Sequence, residues 1–132
     1  MKYISNNDLN IDDVINSKTC FIGIFSDSCI HCKNMKPEWN KFKKHVKKIN
    51  CNSYLIELKA ENINKINNKT LNEYMSYNGI PSVLKIKNGK IIKEYKGNRT
   101  ANSLLQFVNK KKTFKNKNKK KVKKTRKLAN YF

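Results

Sequence analysis

Nothing in these 132 residues is apolar for long enough to cross a bilayer, and the first 20 hold no continuous apolar segment of the kind a secretory leader needs. The closing residues Leu128 to Phe132 do not form an endoplasmic reticulum retrieval signal. The expected compartment is therefore the cytoplasm, with the nucleus as a second location. There is no internal repeat. Acids are scarce, 9 against 30 Lys and Arg, for a net charge of +21. None of the 9 falls in residues 110–132, which hold 12 of the cations. A stretch so charged and without apolar periodicity repels itself, so a disordered basic tail is expected there. Residues 1–109 are left as one domain with a modest core. Lys, Asn and Ile supply 63 residues, a bias of AT-rich coding that weakens the basic charge as a functional signal. Four cysteines in a reducing compartment point to chemistry or metal rather than to structural cross-links.

What is present is concentrated between Thr19 and Pro37. An apolar strand, Cys20 to Phe25, is followed by a three-residue polar turn and then by Cys29-Ile30-His31-Cys32 at the start of a Lys-rich amphipathic helix. Two thiols separated by two residues at a strand-to-helix junction suit dithiol–disulfide exchange. The first sulfur meets unpaired backbone N–H groups and the positive end of the helix dipole, which favour its thiolate. The second lies one turn deeper, close enough to attack a mixed disulfide formed by the first.

The remainder alternates strand and helix. Lys2-Tyr3-Ile4 reads as a short edge strand, and Asn7 or Asp8 as the cap of a helix through about Asn16, with Leu9, Val14 and Ile15 turned inward. The continuous apolar run Cys20 to Phe25 suits a strand covered on both faces. Cys32, Met35, Trp39, Phe42, Val46 and Ile49 recur in steps of three and four, one buried stripe with lysines around the rest. Pro37 sits inside that pattern and is expected to kink the helix. Tyr54–Lys59 reads as a strand parallel to the first, residues 61–70 as an Asn-rich connection, and Leu71 to Tyr77 as a short helix. Ser82–Lys87 and Lys90–Tyr95 flank Asn88-Gly89, the strongest hairpin signal in the chain. Thr100 can cap a last helix whose inner face is Leu104, Leu105, Phe107 and Val108. Tyr74 and Tyr77 read as packing residues.

Four features taken together resemble the thioredoxin superfamily: Cys29 and Cys32 after an apolar strand, Pro37 five residues on, Gly79-Ile80-Pro81 before a strand, and Lys87-Asn88-Gly89-Lys90 followed by Gly97. Cys-x-His-Cys is more like the protein disulfide isomerase domains than thioredoxin itself, which has Gly-Pro between its cysteines. The resemblance implies an α/β thioredoxin fold, a central mixed β-sheet flanked by helices, over about residues 2–109. It implies a redox disulfide between Cys29 as attacking thiolate and Cys32 as resolving thiol, with no other cofactor. It further makes Pro81 a cis-proline beside the pair, and Ile80, next to Gly79, the backbone to which an extended substrate adds as a strand. His31 would favour the Cys29 thiolate and move the reduction potential from about −270 mV toward about −180 mV.

The chain also departs from the family. The usual acid six residues before the first Cys is Gly23 here, and Glu57, on the neighbouring strand, falls where the family has a Lys. Glu57 is therefore the candidate to accept the resolving thiol's proton, against the plainer reading of a strand residue facing solvent. Ser28 stands where thioredoxins have Trp, which thins the apolar wall beside the pair.

Cys29-x2-Cys32-x12-His45-x5-Cys51 also has the spacing of a zinc finger. A continuous helix, however, puts His45 about 20 Å from Cys32, outside any ligand sphere. Cys20 then reads as a core residue, Cys51 as a free or half-buried thiol, and His45 as a solvated flank. The preferred function is a thiol–disulfide oxidoreductase acting on protein thiols and disulfides, recycled by a reductase or a sulfhydryl oxidase. The alternative is a binding module of the same fold with little redox activity, held to nucleic acid or a particle interior by residues 110–132. The limited aromatic content of that stretch allows non-specific polyanion contact and no more. Large cytoplasmic DNA viruses encode thioredoxin-like proteins, and the compositional bias with a basic arm matches such an origin, which would place the chain in host cytoplasm or virion.

Overall fold

The computed structural model describes residues 1–6, 8 and 10–109. The expectations for Asn7, Leu9 and residues 110–132 lie outside the described residues.

The elements run β1 (Lys2–Ser5), α1 (Ile11–Ser17), β2 (Thr19–Phe25), α2 (Ile30–Val46), β3 (Tyr54–Lys59), a 3-10 turn (Ala60–Lys65), α3 (Lys69–Tyr77), β4 (Ser82–Lys87), β5 (Lys90–Glu94) and α4 (Ala101–Val108). The five strands form one mixed sheet in the order β1-β3-β2-β4-β5. β3 runs parallel to both β1 and β2, because helices cross between them. β4 is antiparallel to β2 and to β5. The apolar run of β2 is thus the middle strand, and its two side-chain parities supply two cores. Cys20, Ile22 and Ile24 meet Ile56 and Leu58 of β3 under α1 and α3. Phe21 meets Leu55, Trp39, Phe42 and Leu104 under α2 and α4. Period two in the strands and the three-four stripe in α2 produce both layers. Among the described residues, no helix is long and apolar enough to cross a membrane.

Three local readings are corrected. α1 starts at Ile11, after Asn10, and has no side-chain cap. The Asp8 carboxylate instead accepts the Ser5 N–H at 2.7 Å and closes the turn after β1. Residues 61–70 are not a bare connection: Ile63 and Ile66 are buried, and Asn68 caps α3 by accepting the Leu71 N–H at 2.8 Å, so that helix begins at Lys69. The Asn68 amide also donates to Asn16 and to the Gly89 carbonyl, tying α3 to α1 and the hairpin. Tyr77 does not pack; it stands 87% exposed, whereas Tyr74 is half-buried and donates to Glu94. Asn88 and Gly89 both have positive φ, 52° and 81°, the turn that Asn-Gly favours between twisted strands. Thr100 caps α4 through the Ser103 N–H.

Candidate active site

α2 begins at the residue after Cys29, whose extended backbone (φ −92°, ψ 119°) is that of an N-cap. Its Sγ accepts the Cys32 N–H at 3.2 Å, so a sulfur occupies the place a capping oxygen usually takes. A thiolate accepts that bond better than a thiol. Cys32, one turn in, is 4% exposed. Both thiols are free. The two sulfurs are pushed in opposite directions. The Cys29 thiol is held below its ordinary value, first by hydrogen bonding from the Cys32 thiol, then by the backbone N–H groups of Cys32 and His31 and the positive charge of Arg99. Burial, and next the hydrogen bond to Cys29, push the Cys32 thiol up to about 11. The thiolate form is favoured at Cys29 and disfavoured at Cys32.

The loop before β4 stands across from the pair. The Ile80–Pro81 bond is cis. The Ile80 carbonyl lies 3.9 Å from Cys29 Sγ, and the Gly79 carbonyl accepts the Ser82 hydroxyl at 2.5 Å. Gly79 is exposed and Ile80 and Pro81 are half-buried, which leaves backbone accessible beside the reactive sulfur.

Behind Cys32 lies a cavity of about 400 Å³ lined by Ser26, Lys36, Trp39 and Glu57 among others. β2 and β3 set Gly23 beside Glu57 in the register, on the face covered by α2. A Cβ on Gly23 would stand 2.5 Å from Trp39 Cη2, so the indole fills the space that an acid at this position would need. The same indole donates to Glu57 at 2.8 Å, and Lys43 Nζ lies 3.1 Å from the same oxygen. Burial of Glu57 raises its carboxyl pKa, but the bonds from Trp39 and Lys43 outweigh it and hold the group below its ordinary value. Glu57 is thus a half-buried carboxylate on the wall of the cavity behind Cys32, not a strand residue facing solvent.

The fold therefore brings Cys29, Cys32, Gly79, Ile80 and Pro81 together and sets Glu57 behind them. The His31 side chain is exposed and makes no hydrogen bond among the described residues; this residue reaches Cys29 through its backbone N–H. Cys20 is fully buried, Cys51 is exposed, and His45 is exposed toward the far end of α2. Among the described residues no group of three or more His, Cys, Asp or Glu could hold a metal ion.

The model of the family described as Thioredoxin matches residues 2–110. The chain belongs to the thioredoxin family. Its five-stranded mixed sheet flanked by helices is the thioredoxin fold. A curated relative, rat DnaJ homolog subfamily C member 10, is 27% identical over 98 residues, 74% of this chain. The chain spans only 11% of that relative's length. Two solved structures share the fold. Human ERp44 in its zinc-bound form is 16% identical, with TM-score 0.66 over 86% of this chain and 31% of its own. The first thioredoxin domain of mouse protein disulfide-isomerase A4 is 22% identical, with TM-score 0.62 over 90% of this chain and 81% of its own.

Arg99 is a residue near the pair for which the sequence pattern gives no motif. It sits in the segment between β5 and α4, beside the Ile80–Pro81 loop, and its charge lowers the pKa of both thiols. The signal was compositional: a chain with 28 Lys uses Arg only twice, at Arg99 and Arg126.

Proposed function

We propose that this chain is a thiol–disulfide oxidoreductase that exchanges disulfides with protein substrates through Cys29 and Cys32. The observation that carries the reading is the geometry of two neighbouring sulfurs. Cys29 is partly exposed at the helix N-cap and faces the cis Ile80–Pro81 loop, and Cys32 is buried one turn deeper. The surroundings favour the thiolate at the first and the thiol at the second. In the reducing direction, the Cys29 thiolate attacks one sulfur of a substrate disulfide. A bond forms between Cys29 and that sulfur, and the other substrate sulfur leaves as a thiolate. Cys32 then loses its proton and attacks Cys29 Sγ. This forms the Cys29–Cys32 disulfide and releases the second substrate thiolate. The substrate gains two electrons and the pair loses them. A reductase or a sulfhydryl oxidase would return the pair to its starting state, according to the direction of flow.

The first step prepares the second. Once Cys29 is bonded to substrate it carries no charge and no longer takes the Cys32 thiol hydrogen bond, so two of the causes that raise the Cys32 pKa vanish. We assign the released proton to Glu57 through water in the cavity, whose mostly apolar lining includes Ser26, Asp27, Lys36 and Glu57, enough for the two to four partners such a water needs. The bonds from Trp39 and Lys43 keep Glu57 anionic between turnovers. Ile80 and Gly79 offer backbone to an extended substrate, and His31 tunes the potential. No cofactor beyond the pair is required. Residues 110–132 are assigned a non-specific polyanion contact, and a viral source remains the compositional reading.

The test is a quenched time course with a protein disulfide. Cys32→Ser should accumulate a covalent adduct on Cys29, seen as a reductant-sensitive mass shift. Glu57→Gln, with Cys32 intact, should slow resolution of the adduct by about a hundredfold, the modest end of proton-transfer effects. An adduct that never forms on Cys29 contradicts the exchange reading; an unchanged resolution rate in Glu57→Gln contradicts only the proton assignment.

A further inference from the structure

One hollow contains Cys32, another contains the Ile80–Pro81 loop whose carbonyl lies 3.9 Å from Cys29 Sγ, and cations are part of the lining of both. Lys33 and Lys36 line the cavity that contains Cys32, and Lys96 and Arg99 line a groove of about 360 Å³ that contains Ile80 and Pro81. The nearby acids are already engaged. Asp27 pairs with Lys59 at 3.1 Å and Glu57 with Lys43 at 3.1 Å. Glu94 accepts the Tyr74 hydroxyl at 2.5 Å and lies 3.8 Å from Lys96. Glu38 accepts the Ala101 N–H at 2.9 Å and pairs with Lys41. Among the described residues no carboxylate stands within ion-pair distance of Lys33, Lys36 or Arg99, and all three are exposed. Beside these charges two apolar side chains are left uncovered, Ile30 at 63% and Tyr77 at 87% exposure, one after Cys29 and the other before Gly79.

We infer that the preferred substrate is an extended polypeptide segment whose reactive cysteine is flanked by Asp or Glu, read by Lys33 and Lys36 on one side of Cys29 and by Arg99 on the other. The inference rests on the exchange function above and names its substrate class. A segment lying along the Gly79-Ile80 backbone has its sulfur at Cys29 and its neighbours over the two hollows. Carboxylates there meet Lys33 and Arg99, which no carboxylate among the described residues pairs with, and Lys36, whose charge is felt only by the Glu57 carboxylate already paired with Lys43. A lysine-flanked cysteine is repelled by the same groups. Complementary charge speeds encounter most at low ionic strength and is screened as salt rises.

The test uses the full, reduced chain and three synthetic peptide disulfides with identical cores and Glu, Gln or Lys flanking the cysteine. Second-order rates of thiol release are read at low and high salt. The Glu peptide should exceed the Lys peptide by about tenfold or more at low salt, with Gln between them, and the ratio should shrink toward one at high salt. Combining Lys33→Gln with Lys36→Gln should cut the low-salt ratio to a third or less. Combining Lys87→Gln with Lys90→Gln, at the hairpin end of the sheet remote from Cys29, should leave it unchanged. Three peptides reacting equally, or a ratio untouched by the Lys33 and Lys36 changes, overturns the charge selection while leaving exchange itself standing. Reaction with none of the three overturns both.

Discussion

Replacing Cys29 with serine is expected to drop insulin reduction to the uncatalysed background, a fall on the order of 10³ to 10⁶ as for other nucleophile removals. The size follows from the chemistry. A serine hydroxyl has no accessible anion at neutral pH and forms no disulfide, so the first bond of the exchange cannot be made. Structure is not expected to suffer with it. Serine is among the best N-cap residues, and its oxygen can accept the Cys32 N–H that the sulfur accepts now. The variant should therefore melt at or above the wild-type temperature while being inert. Thermal melts beside the insulin assay separate these readouts. Retained reduction would move the attack away from Cys29, and a lost fold would mean that the sulfur is structural.

Trp39→Ala should have the largest effect on stability. The indole is 1% exposed and packs edge-on against Phe25 at 4.8 Å and tilted against Phe42 at 5.1 Å. It also fills the space beside Gly23 and donates to Glu57. Removing it leaves a cavity and a half-buried carboxylate with one partner fewer. The expected cost is about 3–5 kcal/mol, a large share of the roughly 5–15 kcal/mol that holds a domain folded. Gly23→Ala probes the same contact from the other side, because its new Cβ would sit against the indole edge. Combining Gly23→Ala with Trp39→Phe should cost less than the two changes summed, since Phe lacks the outer ring atoms that the Cβ meets. Denaturant melts of the four proteins measure this, and strict additivity would contradict the contact.

These two residues also mark what could be read in advance. Cys29 was legible because its position relies on local pattern alone: an apolar strand, a short turn, then a three-four stripe. The Asn88-Gly89 hairpin and the Thr100 cap were legible for the same reason. Trp39 was legible as core, but its bond to Glu57 was not, because it joins residues 18 apart through a strand register that no local rule supplies. Side-chain parity carried part of that signal. Leu55 and Glu57 share a face of β3, as Phe21 and Gly23 share a face of β2, so an acid behind α2 could have been expected. The missing acid at Gly23 has a packing cause that local pattern does not carry, the indole that occupies the space. Tyr77 misled because an aromatic near a helix end reads as core, whereas α3 buries only Leu71 fully and leaves its last turn in solvent. Asp8 misled because a turn after a strand competes for the same carboxylate as a helix cap. His31 could be placed beside the sulfur by spacing, but where an exposed side chain turns is not written in spacing.

The split between the two thiols is most directly measured by pH-dependent alkylation, with mass spectrometry resolving Cys29 from Cys32 in the reduced chain. Cys29 should alkylate with a midpoint below the ordinary thiol value of 9.0, and Cys32 only as the pH approaches about 11. Equal midpoints, or a Cys32 that reacts first, would contradict the assignment of attack to Cys29 and resolution to Cys32.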